Sequence, residues 1–139
     1  MQLKEKVFTT QRAALFFTAG ELSRRGFNVS IVDDSILYCQ DGKKSFYIKV
    51  SGQKFKKSWI VEIEKSYSPI FYVFVYIPKD VYIQPEFFIL TEGQLKKEIK
   101  NKKLHSPKEL LGKITSLSFS VIVKYADKWY LLKEKEQVD

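Results

Sequence analysis

The chain has 139 residues, with 24 Lys and Arg against 16 Asp and Glu for a formal charge of +8, and only one Cys and one His. That length is one domain's worth, enough to bury a core without staples, and the lone Cys39 excludes an internal disulfide framework. Cys39 and His105 cannot furnish a zinc site of the usual His/Cys kind from one copy, although carboxylate-held magnesium stays open.

"MQLKEKVFTTQ" lacks the charged-then-apolar pattern of a signal peptide, and "IFYVFVYI" (70–77) is too short to span a bilayer. A cytoplasmic location with no membrane partner is therefore expected. The excess positive charge lies in two blocks, 43–57 and 96–103. It points to a polyanion, nucleic acid ahead of an anionic membrane surface, with plain lysine-rich solubility as an equally weighted account.

In chain order, "TTQRAALFFTAGELSRR" (9–25) carries Ala13, Leu15, Phe16, Ala19 and Leu22 at helical spacing. Thr9 or Thr10 is the expected N-cap and Gly26 the stop, leaving residues 1–8 as a flexible arm. "FNVSIV" (27–32) alternates as a strand, and "SILYC" (35–39) follows Asp33 and Asp34. The "DG" at 41–42 marks a hairpin into "KSFYIKV". Alternation puts Phe46, Ile48 and Val50 on one face of that strand and Tyr47, Lys49 and Ser51 on the other. After a basic loop come "SWIVEIE" (58–64) and "FYVFVYI" (71–77), the second apolar enough to be covered on both sides. "PEFFIL" (85–90) reads as a strand, and "TEGQLKKEIKNKK" (91–103) as a helix capped by Thr91 with a basic outer face. The remainder reads as a loop, a short helical or extended piece, and a closing turn that docks Trp129, Leu131 and Leu132, with 133–139 as a flexible tail. The fold class expected is α/β (α+β): a single domain, 1–139, with a central mixed sheet flanked by helices.

Three stretches taken together, "AGELSRRGFNV", "SILYCQDGKKSFYIKVSG" and "FYVFVYIPKDVYIQPEFFILTEGQLKKEI" with "YADKWYLL", resemble the small restriction-endonuclease-like proteins of the PD-(D/E)XK nuclease superfamily. The resemblance runs over about residues 11–132 and implies the restriction-endonuclease-like fold. In members that cut nucleic acid it also implies an Asp near the second strand and a Glu or Gln, an apolar residue and a Lys on the third. A Glu on the first helix often joins them. The acidic oxygens hold Mg²⁺, which activates water, and the lysine steadies developing charge.

Carried over by position, the resemblance puts Leu15 at the helix Glu, Ser35 at the Asp, and Lys49-Val50-Ser51 on the strand motif. An ammonium thus stands where a metal ligand belongs and a hydroxyl where the lysine belongs. No catalytic residue, no metal and no cofactor are expected. Sliding Asp34 into register turns its side chain to the other face unless a bulge intervenes, and Lys49 would then pair with it. "DGK" (41–43) and "EIK" (98–100) spell acid-x-Lys, but one is a turn and the other is read as a solvated helix face. Glu62 and Glu64 share a strand face, where pairing with Lys49 or Lys54 outweighs cation binding. Ser51 has no base, since His105 lies in a distant loop.

Lys43, Lys44, Lys54, Lys56 and Lys57, interleaved with Phe55 and Trp59, form the densest cationic stretch. Together with Lys49 they are the expected nucleic-acid-binding residues. Trp59 reads as a core residue and Phe55 stays open, while Lys96, Lys97, Lys100 and Lys103 are a second candidate surface. Tyr67, Tyr72, Tyr76 and Tyr82 are explained by strand packing. The function expected is a catalytically degenerate nuclease-fold protein that binds DNA or RNA or serves as an interaction module. One alternative is an Mg-dependent nuclease with its metal relocated to Asp34 with Glu62 or Glu64. Another is a homodimerising module that uses an exposed sheet edge.

Overall fold

The computed structural model describes residues 2–102 and 114–133. A 23-residue helix α1 (Gln2–Arg24) is followed by strands β1 (Asn28–Ile31), β2 (Ile36–Asp41), β3 (Lys44–Gln53), β4 (Trp59–Glu62), β5 (Ile70–Tyr76) and β6 (Glu86–Thr91). Helix α2 (Glu92–Asn101), strand β7 (Ile114–Leu117), the short helix α3 (Phe119–Ile122) and two 3-10 turns, Val123–Tyr125 and Trp129–Leu132, complete the described chain. Five strands form one mixed sheet in the order β1-β2-β3-β5-β6. All neighbours are antiparallel except β3 and β5, which run parallel.

The class is thus mixed α/β, as the order of patterns implies. Helix α1 starts at Gln2, seven residues before the expected cap at Thr9, so the stretch read as an arm is helical. Gly26 does end this helix: it takes φ 99°, and Phe27 N–H returns to Leu22 O at 3.1 Å. The "DG" hairpin is also present, with Asp41 paired to Lys44 and Gly42 at φ 62°. Thr91 caps α2 through a reciprocal pair: its Oγ1 accepts from Gln94 N–H, and Gln94 Oε1 accepts from Thr91 N–H.

Two cores sandwich the sheet. On one face Leu37, Cys39, Phe46, Ile48, Val50, Val73, Val75 and Ile89 pack against Ala14, Leu15 and Leu22 of α1 and against Trp129 and Leu132. On the other, Ile36, Tyr72, Phe74, Phe88 and Leu90 meet Trp59 and Val61 of β4, Leu95 of α2, Leu117 and Ile122. Strand β5 serves both faces, which is why its sequence is apolar almost throughout.

Strand β4 departs from the simplest reading of the pattern. It leaves the main sheet and pairs antiparallel with β7, making a two-stranded layer over the second face. Its alternation is real, with Trp59 and Val61 buried and Ile60 and Glu62 exposed, but the buried side faces a sheet rather than a helix. No helix of the described residues is long and apolar enough to cross a membrane.

Candidate functional site

The four positions carried over from the nuclease pattern do not converge. Leu15 is buried under the sheet in the α1 core together with Val50. Lys49 and Ser51 lie on the opposite face, in register with Tyr72 and Phe74 of β5. Ser35 stands level with Val50, whose N–H it accepts at 2.7 Å, and its N–H and hydroxyl turn to Asp33 Oδ1. Asp33 also accepts from Ile36 N–H at 2.9 Å, so its carboxylate is committed to the β1–β2 turn. Asp34 is exposed in that turn, and its carbonyl accepts from Gln11 Nε2.

Lys49 is the centre of what remains. Its Nζ lies 3.8 Å from Glu62 Oε1 and 3.6 Å from Glu64 Oε1, so it pairs with both carboxylates of the "WIVEIE" segment and not with Asp34. The pairing spans two layers, from β3 of the main sheet to the end of β4. Glu64 is held further by Ser66 N–H at 3.0 Å, while its own N–H donates to Tyr72 Oη at 2.9 Å. The Ser66 hydrogen bond, and then Lys49, hold the Glu64 carboxyl below its ordinary 4.5. Burial, foremost, raises the Tyr72 phenol. Lys49, Ser51, Ile60, Val61, Glu62, Tyr72 and Phe74 line a cavity of about 150 Å³.

Chemically, this pocket presents a cation already shared by two anions. A divalent ion entering here would have to displace the Lys49 ammonium from both. Among the described residues no three of His, Cys, Asp and Glu come together in a group that could hold a metal. Cys39 is buried in the core, and that burial pushes its thiol up to about 12. His105 lies outside the described residues.

Glu98 of the "EIK" spelling is not on a wet face. It is buried, accepts from Tyr125 Oη at 2.5 Å and sits 3.3 Å from Lys124 Nζ, tying α2 to the C-terminal turn. Burial and this bond push the Tyr125 phenol up to about 12.

The cationic stretch is divided by the length of β3. Lys43 and Lys44 sit at its start, and Lys54, Lys56 and Lys57 lie beyond its end, about 30 Å away at the usual strand rise. Lys44 is further committed, donating to Leu132 O at 2.9 Å. What the parallel pairing brings together instead is the loop after β3 and the loop after β5. Gln53 pairs with Tyr76, Ile77 N–H donates to Gln53 O at 2.9 Å, and both loops leave the same end of the sheet.

This end is a built projection. Gln53 Nε2 donates to Phe55 O at 2.7 Å and Lys57 O at 3.0 Å, curling the first loop over its own side chain. In the second, Asp80 Oδ1 accepts from Tyr82 N–H at 2.9 Å and Asp80 O from Ile83 N–H at 3.1 Å, a turn with Val81 and Tyr82 at its apex. Phe55, half exposed, has Lys57 Nζ 5.5 Å and Lys79 Nζ 5.2 Å from its ring centroid. Lys56 lies back on the molecule, paired with Glu86 at 3.4 Å and set over Tyr76. Between the loops lies an open groove of about 480 Å³ lined by Lys54, Phe55, Lys56, Tyr76, Lys79 and Ile83 among others.

Comparison with protein-family models, curated proteins and solved structures finds no match to this chain. Trp59 is a core residue as the alternation implies, with its ring near Phe74, Phe88 and Phe119. Tyr72 packs in the core too, but Tyr82, also read as a packing residue, is 92 % exposed. Lys79 on the groove and the exposed Tyr82 are the residues of this end of the sheet that the sequence reading did not single out as a surface. The available signal was "PKDVYIQP" (78–85), whose Asp80 and flanking prolines favour a turn that throws its apolar residues outward.

Proposed function

We propose that this chain is a non-hydrolysing nucleic-acid-binding module built on the restriction-endonuclease-like plan. The observation that carries the reading is Lys49. Its ammonium occupies the strand position at which the resemblance implies a metal-binding group, and Glu62 and Glu64 both neutralise it. Hydrolysis by this fold's chemistry needs at least two oxygen ligands free for Mg²⁺. Here the nearest carboxylates are taken, and Leu15 lies across the sheet from Lys49. Binding itself is supported by the cationic end of the sheet, where Lys54, Lys57 and Lys79 have no carboxylate partner among the described residues.

The test is a labelled oligonucleotide incubated with the protein in Mg²⁺, in Mn²⁺ and in EDTA. Retention in all three, weakening as salt rises, with the oligonucleotide intact, is the expected result. Cleavage that EDTA stops would mean that the metal has found other ligands, with Asp34, Glu62 and Glu64 the first to substitute. A second reading, self-association, is favoured by the edge strand β1, where Ile31 and the adjoining Val32 are exposed at 53 % and 42 %. Light scattering across protein concentration separates it: a mass of two chains that persists at high salt and is lost in Ile31→Lys supports pairing through this edge.

A further inference from the structure

Val81, Tyr82 and Ile83 are three consecutive apolar residues exposed at 86 %, 92 % and 56 %. Such a run held out in water marks a surface for an interaction. It is also held, because the Asp80 side chain and carbonyl fix the turn beneath it. Lys79 precedes the turn, Lys54 and Phe55 line a groove with Ile83, and Lys57 stands over the Phe55 ring, an arrangement complementary to a polyanion with an apolar component.

Resting on the nucleic-acid reading above, we propose that the occupant is a single strand. An unpaired base stacks on the ring of Tyr82, and Lys54, Lys57 and Lys79 neutralise the flanking phosphates. Three features favour a single strand over a duplex. The projection is a pair of loops, not the helix or two-stranded ribbon that fills a major groove. Stacking on an aromatic face needs a base already out of its helix. Three lysines are also few for a duplex footprint but suffice for the short tract that one stacking platform holds. An anionic bilayer is a poorer fit. Inserting the triad would carry the Asp80 carboxylate, adjacent to Val81, to the apolar boundary, whereas stacking engages one ring and leaves Asp80 in water.

The experiment compares three probes with the full chain: a fluorescent oligothymidylate, a labelled duplex of mixed sequence, and phosphatidylserine-containing vesicles. The variants are Tyr82→Ala, Tyr82→Phe and the triple Lys54→Gln, Lys57→Gln, Lys79→Gln. All these side chains are on the surface, and circular dichroism checks that each variant folds. The single strand should bind more tightly than the duplex. Y82A should weaken it at least about fivefold and Y82F should restore it, because the ring and not the hydroxyl stacks. The slope of log K against log salt should be about −2 and flatten in the lysine triple, as expected for roughly three phosphates on a single strand. Equal or tighter duplex binding, or binding indifferent to Y82A, overturns the stacking proposal while leaving nucleic-acid binding standing. Failure to bind either oligonucleotide overturns both, and Tyr82-dependent vesicle binding in that case assigns the tip to a membrane surface.

Discussion

Gly52 marks the closest approach of α1 to the sheet. A Cβ at that position would lie 2.4 Å from Ala14 Cβ and 3.3 Å from Thr10 O, so the helix can rest on β3 only if residue 52 has no side chain. Gly52→Ala should therefore destabilise the fold by roughly 1–3 kcal/mol as α1 is pushed off, read as a lower urea midpoint. Gly20, in the same helix, faces open space, with nothing within 4 Å of where a Cβ would sit. Gly20→Ala should add about 0.5–1 kcal/mol of stability through helix propensity alone, read as a higher midpoint. Glu64 allows a pH prediction. Its folded carboxyl lies below 4.5, so the stability it contributes is present above that value and is lost as pH falls through the depressed one. Glu64→Gln should flatten the acid limb of a stability–pH curve relative to wild type while changing little of its shape near neutrality. Lys49 itself was legible in the sequence, since strand alternation and the "DG" turn fix its face. Its partner was not fully so. Glu62 and Glu64 stood beside Asp34 as candidates, and only the path of β4 over the sheet decides between them.

At the scale of elements, β3 outruns β2. The ladder between them ends at Ile36 and Lys49, so backbone groups of β3 beyond Val50 would lack partners on that side. The Gln11 side chain of α1 supplies them: Nε2 donates to Val50 O at 2.8 Å and Oε1 accepts from Gly52 N–H at 2.9 Å, while Nε2 also reaches Asp34 O. One amide thus stands in for a missing stretch of strand. Gln11→Ala should cost about 1–3 kcal/mol by orphaning part-buried backbone groups, and amide exchange should speed at Gly52 before the rest of β3. Of the elements, the strands of the main sheet, the hairpin, the stop of α1 and the start of α2 could be read from alternation, "DG", Gly26 and Thr91, because each rests on local geometry. The start of α1 could not, because "QLKEKVF" offers no cap or apolar stripe to mark it. Nor could the departure of β4, since an alternating segment looks the same whether it joins a sheet edge or lies over a sheet face.

Across the whole molecule, the positive charge that is continuous in the sequence is sorted by topology to opposite ends of β3. Lys49, between them, is consumed in the ion pairs that fasten β4 down. The parallel β3–β5 pair, which no local pattern specifies, then adds Lys79 and Tyr82 to Lys54, Phe55 and Lys57. The cationic tip and the Lys49 pocket are thereby separated in space: the first lies at one end of the sheet, and in the second the lysine is paired with Glu62 and Glu64. The most direct measurement is the length of a labelled nucleic acid held with excess protein and Mn²⁺ under conditions where binding is demonstrated. The account predicts a bound and uncut strand, with metal and EDTA giving the same trace. Shortened products that appear with Mn²⁺, vanish with EDTA and are lost on replacing Glu62 or Glu64 would contradict it.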